Sequence, residues 1–165
     1  MIEKLIKNRR SIRKYQDKKI PSDILDQLIE SARLAPTASN QQDLKLLVVD
    51  EPEKVQALAN SADTQAFVQT AGAIIGIACH NDRPMKCGIS KGIVDASIAM
   101  SFMVLQAEEL GIGSCWLGSF DADAVSKYFE LPDDHTVVCI TAFGYADEAP
   151  NAKPRKSTEE LLIKK

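Results

Sequence analysis

Apolar positions early in the chain recur at helical spacing, and further on they merge into continuous runs. Ile2, Leu5 and Ile6 predict a short amphipathic helix from Ile2 to Arg9, ending around Arg10 and Ser11. Ile24, Leu25, Leu28, Ile29 and Ala32 predict a second, with Ser22 as its N-cap and Pro36 as its stop. The polar, uncharged stretch APTASNQQ then reads as a loop, and LKLLVVD as an interior strand. Pro52 opens a helix to Asn60, a short helix spans Thr64 to Thr70, and AIIGIAC is a second strand.

After the loop HNDRPMKCGISKG comes a long helix from Ile93 to Leu110, capped by Gly111. Its Ile98, Met100, Phe102, Met103, Val104 and Leu105 make it apolar almost all round, which predicts a central, buried helix. SCWLG is a third strand, Asp121 caps a helix to Phe129, and TVVCITAFG is a fourth strand. Ser157 and Glu160 form a capping box before a last helix. Strands separated by helices indicate an α+β fold, an α/β sandwich around a mixed, mainly antiparallel sheet.

At 165 residues, 45% of them hydrophobic, the chain suits one domain over residues 1–165. The start, MIEKLIKNRR, lacks the apolar core of a signal peptide. The longest apolar stretch carries Asp95, Glu108 and Glu109, so it reads as a buried helix and not as a membrane span. The four cysteines, Cys79, Cys87, Cys115 and Cys139, form no CxxC pair and stand at no zinc-ligand spacing from a histidine. No metal is expected, Cys79 and Cys139 read as buried inert thiols, and the reducing cytoplasm is the expected location.

Charge changes the picture more than composition does. Residues 1–19 carry a net +6 and residues 151–165 a net +3, so the body between them carries −12. With aromatic residues at only 5%, this does not suggest a nucleic-acid surface. It suits a small anion held between the two ends of the chain. In RRSIRKY, Arg9, Arg10 and Arg13 surround Ser11, a set of donors that matches phosphate oxygens. Lys153 and Arg155 in KPRK repeat the theme near the other end; taken singly, either cluster also fits a solvated face.

Side-chain catalysts are hard to find. His80 follows a strand and His135 sits in the turn PDDHT, positions that suit surface or structural roles. No Gly-x-Ser-x-Gly elbow, phosphate-binding P-loop, HExxH or GxGxxG is present. An enzyme built this way would take its chemistry from a cofactor.

RRSIRKY, APTASNQQ, LGIGSCWLG and GYADEAPNAKPRK occur in the order and approximate spacing of the FMN-dependent nitroreductase family, which the chain resembles over nearly its whole length. The resemblance implies that Arg9, Arg10 and Ser11 hold the FMN phosphate and ribityl chain. Arg13 would reach the pyrimidine edge of the ring, and Lys153 and Arg155 would form a second phosphate clamp. It implies a homodimer with two FMN at the interface, in which Pro36, Thr37, Ala38, Ser39, Asn40 and Gln42 are lent to the flavin of the other subunit. Trp116, Leu117 and Gly118 would lie beside the ring, with a backbone N–H around Gly118 facing N5; Trp116 also suits a core aromatic.

The implied activity is ping-pong hydride transfer from NADH or NADPH through flavin N5 to a nitroaromatic, quinone or flavin acceptor, without an essential catalytic side chain. Same-fold alternatives are reductive dehalogenation or dehydrogenation of a metabolite; a further alternative is an anion-binding module without enzymatic activity. Two features depart from the family pattern. Asp43-Leu44 stands where many relatives have Pro-Trp, and residues 81–92, with Cys87, are the only candidate lid. Gln65 is a possible further match to a family position near the cofactor.

Overall fold

Four strands pair antiparallel in the order β1 (Leu44–Val49), β2 (Ala73–His80), β4 (His135–Gly144) and β3 (Gly113–Leu117). The computed structural model describes residues 2–80 and 84–165. The sheet owes its mixed character to one parallel bridge, Ser11 to Ser114, which lays the basic segment along the outer edge of β3. A bulge between Ile77 and Ala78 on the β2–β4 ladder leaves Val138 unpaired.

Alternating strand residues feed two separate cores. On one face Leu47, Val49, Ile74, Ile140, Ala142 and Leu117 meet Val55, Leu58 and Ala59 of α3 (Pro52–Ser61) and Val125 of α5 (Ala122–Tyr128). On the other, Ile75, Ile77, Cys139 and Phe143 meet Leu25 and Leu28 of α2 (Ser22–Arg33) and Ala96, Met100 and Met103 of α4 (Lys91–Glu109). The result is the expected sandwich with helices on both faces. Short α1 (Ile2–Asn8) and α6 (Thr158–Leu161) bury nothing of their own.

Local signals set most boundaries. Asp121 accepts the amides of Asp123 and Ala124 and starts α5, and the Ser157–Glu160 capping box forms as the sequence indicates. Gly111, at φ 71°, follows the end of α4 in the left-handed region. Ser22 is not the N-cap of α2. Pro21 holds that position in an extended conformation, and its carbonyl receives the amides of Ile24 and Leu25, so Ser22 is already helical. The stretch before β2 is a 3₁₀ turn over Ala66–Thr70.

The expectation for α4 needs a larger correction. Only one stripe of the helix is covered, because the sheet lies on one side of it. Ile93 and Phe102 stand 50% and 43% exposed on the rest. Among the described residues no helix is long and apolar enough to cross a membrane.

Candidate functional site

The basic segment is built into the body backbone first. Ile12 donates its amide to Ser114 at 2.9 Å and Gln16 donates to Tyr145 at 2.9 Å, so residues 11–16 run beside β3 and then the exit of β4. Tyr15 is the peg. Its buried hydroxyl donates toward the carbonyls of Ile12 (2.8 Å) and Ala142 (3.1 Å), and burial pushes its pKa far above the usual range. The ring lies so close to Gly144 that any Cβ there would sit 2.7 Å from it, which only glycine avoids.

Anchored in this way, the arginines face a cleft of 570 Å³. Arg9, Arg10, Ser11 and Arg13 line one side and Asn151, Lys153 and Arg155 the other. The two ends of the chain therefore meet. With Lys7, the described residues put six cationic side chains and no carboxylate in the lining of the cleft. Among the described residues the side chains of Arg9, Lys153 and Arg155 have no hydrogen-bond or ion-pair partner, which leaves their donors available to a ligand.

Arg10 is different. Its Nη1 caps the end of α1, donating to the carbonyls of Lys7 (2.7 Å), Asn8 (2.9 Å) and Arg9 (3.0 Å). It contributes charge to the cleft while its Nη1 serves the helix. Arg13 is held through its backbone, whose amide donates to the carboxylate of Glu148. Sequence reasoning passed over Glu148, although an acid just before a basic clamp is a visible signal.

Trp116, Leu117 and Gly118 lie along and just past β3, next to the bridge that carries Ser11. Leu117 is buried in the α3–α5 core, whereas Trp116 is 40% exposed and Gly118 is open. Trp116 is thus at most partly a core residue. Cys115 beside it is buried, and desolvation raises its pKa above the ordinary thiol value. Cys139 is pushed up to about 12 by burial, as an inert thiol should be.

Residues 36–42 do not line the cleft. They form a turn at the start of α4, where Ala38–Asn40 is a 3₁₀ segment and Ser39, Asn40 and Gln42 all have positive φ. Thr37 Oγ1 accepts the amide of Gln42 at 3.1 Å, and the side chains of Ser39, Asn40 and Gln42 are exposed. Two partners of this turn were not foreseen. Asp95, 5% exposed, receives the Ala38 amide on both oxygens, and Lys91 binds Gln41 and Asp43. Asp43, the departure from the family pattern, is thereby tied to α4.

Gln65 is exposed at the start of its 3₁₀ turn and does not reach the cleft. Of the candidate lid, Asn81, Asp82 and Arg83 lie outside the described residues; Cys87 is exposed in a turn closed by Gly88 to Met85 at 2.8 Å. His80 and His135 form an edge-to-face pair at 5.5 Å, bridged by Asp134, and stand outside the cleft. Among the described residues no cluster could hold a metal ion.

Known proteins share this architecture. A crystal structure of a nitroreductase family protein from Clostridium difficile superposes with a TM-score of 0.86 at 30% identity, covering 99% of this chain and 96% of that one. An FMN-dependent nitroreductase from the same species matches at 32% identity and a TM-score of 0.77, over 95% and 92% of the two chains. A protein of Archaeoglobus fulgidus named for NADH dehydrogenase and NAD(P)H nitroreductase is 30% identical over 146 residues, 86% of this chain and 83% of its own length. The model of the nitroreductase family matches residues 6–73 and 60–145, a span that holds the anchored arginines, the turn against α4 and β3 alike. By sequence and by fold, the chain belongs to the nitroreductase family.

Proposed function

We propose that the protein is an FMN-dependent NAD(P)H oxidoreductase acting as a homodimer. One observation carries this reading: among the described residues, a single cleft gathers six cations from the two basic segments and no carboxylate. Its 570 Å³ suits a mononucleotide, and its charge suits a phosphate dianion. The FMN-dependent nitroreductase with which it shares 32% identity supports the same cofactor.

Arg9, Ser11, Lys153 and Arg155 would hold the phosphate and ribityl chain. Arg13, fixed through its backbone on Glu148, would place a cation near the ring and favour negative charge there. The exposed edge of β3 from Trp116 to Gly118 would lie beside the ring. When bound, FMN supplies two-electron transfer from NADH or NADPH to a nitroaromatic, quinone or flavin acceptor. No side chain of this site is asked to act as an acid or base.

The homodimer has two supports. Ile2, Leu5, Phe102 and Leu105 line an apolar groove between α1 and α4, with Leu34 exposed nearby, a surface that a second copy would cover. Residues 36–42 are folded and presented to solvent away from their own cleft, as a contribution to the neighbouring site requires. The reading places the enzyme in the cytoplasm, where its four cysteines, none of them in a disulfide, remain thiols.

The test is an absorption spectrum of the concentrated protein after incubation with FMN, before and after anaerobic addition of NADH or NADPH. Flavin bands near roughly 370 and 450 nm that stay with the protein through desalting and bleach on addition are expected. A protein that retains no flavin overturns the reading.

A further inference from the structure

The turn at residues 36–42 has a backbone that its sequence does not favour. Ser39, Asn40 and Gln42 occupy the left-handed region at φ 52°, 53° and 57°, and none is glycine. Bonds within the turn cannot account for its orientation, because they move with it. What fixes it to the body is the opening of α4.

Two residues one helical turn apart do this. Asp95 takes the Ala38 amide on both oxygens, at 3.0 and 3.1 Å. Lys91 holds the other end, donating to Gln41 Oε1 and pairing with Asp43 at 3.5 Å. The helix that carries them cannot shift easily, since a Cβ on Gly92 would lie 2.5 Å from Cys79 Sγ of β2. Sheet, helix start and turn are therefore in direct mechanical series.

Asp95 is the more informative of the two. A carboxylate 5% exposed, within a helix otherwise lined by alanine and methionine, is expensive to keep unless its hydrogen bond matters. Its acceptor atoms bind a backbone amide, which recognises position and not side-chain identity. We infer that Asp95 is a positioning residue: by holding the Ala38 amide against α4 it sets the conformation in which Thr37, Ser39 and Asn40 are offered to the FMN of the neighbouring subunit. The inference rests on the FMN reading for its ligand, but not for the bond itself.

Three variants of the full-length protein test it. Asp95→Asn keeps an acceptor oxygen, and Asp95→Leu removes it while keeping the branched four-atom side chain. Ala38→Pro removes the donor and leaves Asp95 intact. Proline fits there because Thr37 is extended (φ −126°, ψ 154°) and Ala38 opens the 3₁₀ segment.

In fluorescence titrations with FMN, Asp95→Leu and Ala38→Pro should bind about tenfold more weakly, and Asp95→Asn within about threefold of the parent. In the protein without FMN, the Ala38 amide should be protected from hydrogen exchange and lose that protection in Asp95→Leu. Should Asp95→Leu fail to fold, Ala38→Pro carries the affinity test. Parental FMN affinity in the folded variants that break the bond overturns the inference. Failure of the parent to bind FMN would defeat the cofactor reading alone; an unprotected Ala38 amide in the parent would then still refute Asp95 as the anchor of the turn.

Discussion

Ile12 donates its amide to the carbonyl of Ser114 at 2.9 Å, so the basic segment is an added edge to the sheet and not a loose arm. Its arginines can then be altered without disturbing the core beneath them. Arg9→Ala and Ser11→Ala should lower FMN affinity, by about tenfold or more for the arginine, with thermal stability nearly unchanged. Arg10→Ala should weaken FMN less, because Nη1, one of its three nitrogens, already serves the carbonyls that end α1. Equilibrium titration and thermal melts of the three variants check the order, and unchanged affinity in both Arg9→Ala and Ser11→Ala would remove the phosphate assignment.

Tyr15 offers the complementary experiment. Tyr15→Phe keeps the ring against Gly144 but strands two carbonyls, and should cost about 1–2 kcal/mol in urea denaturation. Because the hydroxyl binds the Ile12 carbonyl, FMN affinity should fall as well.

Thr141 predicts the opposite sign. Its Oγ1 is fully buried on β4 with no hydrogen-bond partner. Thr141→Val keeps the shape and removes the orphaned hydroxyl, so stability should rise by about 1 kcal/mol. A variant less stable than the parent would show that the hydroxyl is satisfied in solution.

Asp134 gives a pH dependence. Hydrogen bonding to His135, at 2.7 Å, and the charge of His80 hold its carboxyl below the usual value. A depressed folded pKa adds stability that is present above the unfolded pKa, about 3.9, and is lost as pH falls through the folded one. The stability gap between parent and Asp134→Ala should therefore be open at pH 6 and close as pH falls through the lowered pKa of the folded state. The carboxylate is exposed, so salt should shrink the gap. Denaturation midpoints across this range, at low and high salt, measure it.

Phe102 tests the assembly. It lines the apolar groove while 43% exposed, and Phe102→Glu should yield a monomer in sedimentation equilibrium with weakened FMN binding. A dimer of undiminished stability would move the interface elsewhere.

Element positions were legible wherever a neighbour in sequence decides them. The Asp121 cap, the Ser157–Glu160 box and the four apolar runs needed nothing from the rest of the chain. Ser22 misled because Pro21 supplies its carbonyl for the same job. The arginines of the first motif were legible as a group, yet not individually: Arg10 lies close enough to α1 to cap it, and only geometry shows that it does. Asp95 served in the sequence only to argue against a membrane span. A lone carboxylate in the opening turns of an apolar helix was the available signal, but its partner lies far back in the chain. The exposed face of α4 was missed because periodicity reports that a surface is apolar, not which molecule covers it.

The meeting of the two chain ends has a consequence for the life of the protein. Residues 151–165 bury nothing, yet Asn151, Ala152, Lys153 and Arg155 line the cleft. During synthesis the core can close before Arg155 has emerged, whereas the binding site cannot. Later, cleavage of the exposed backbone after Pro150 would open the site while leaving the core intact. A nucleotide held by both clusters, as proposed, would clasp them together and shield that stretch from cleavage.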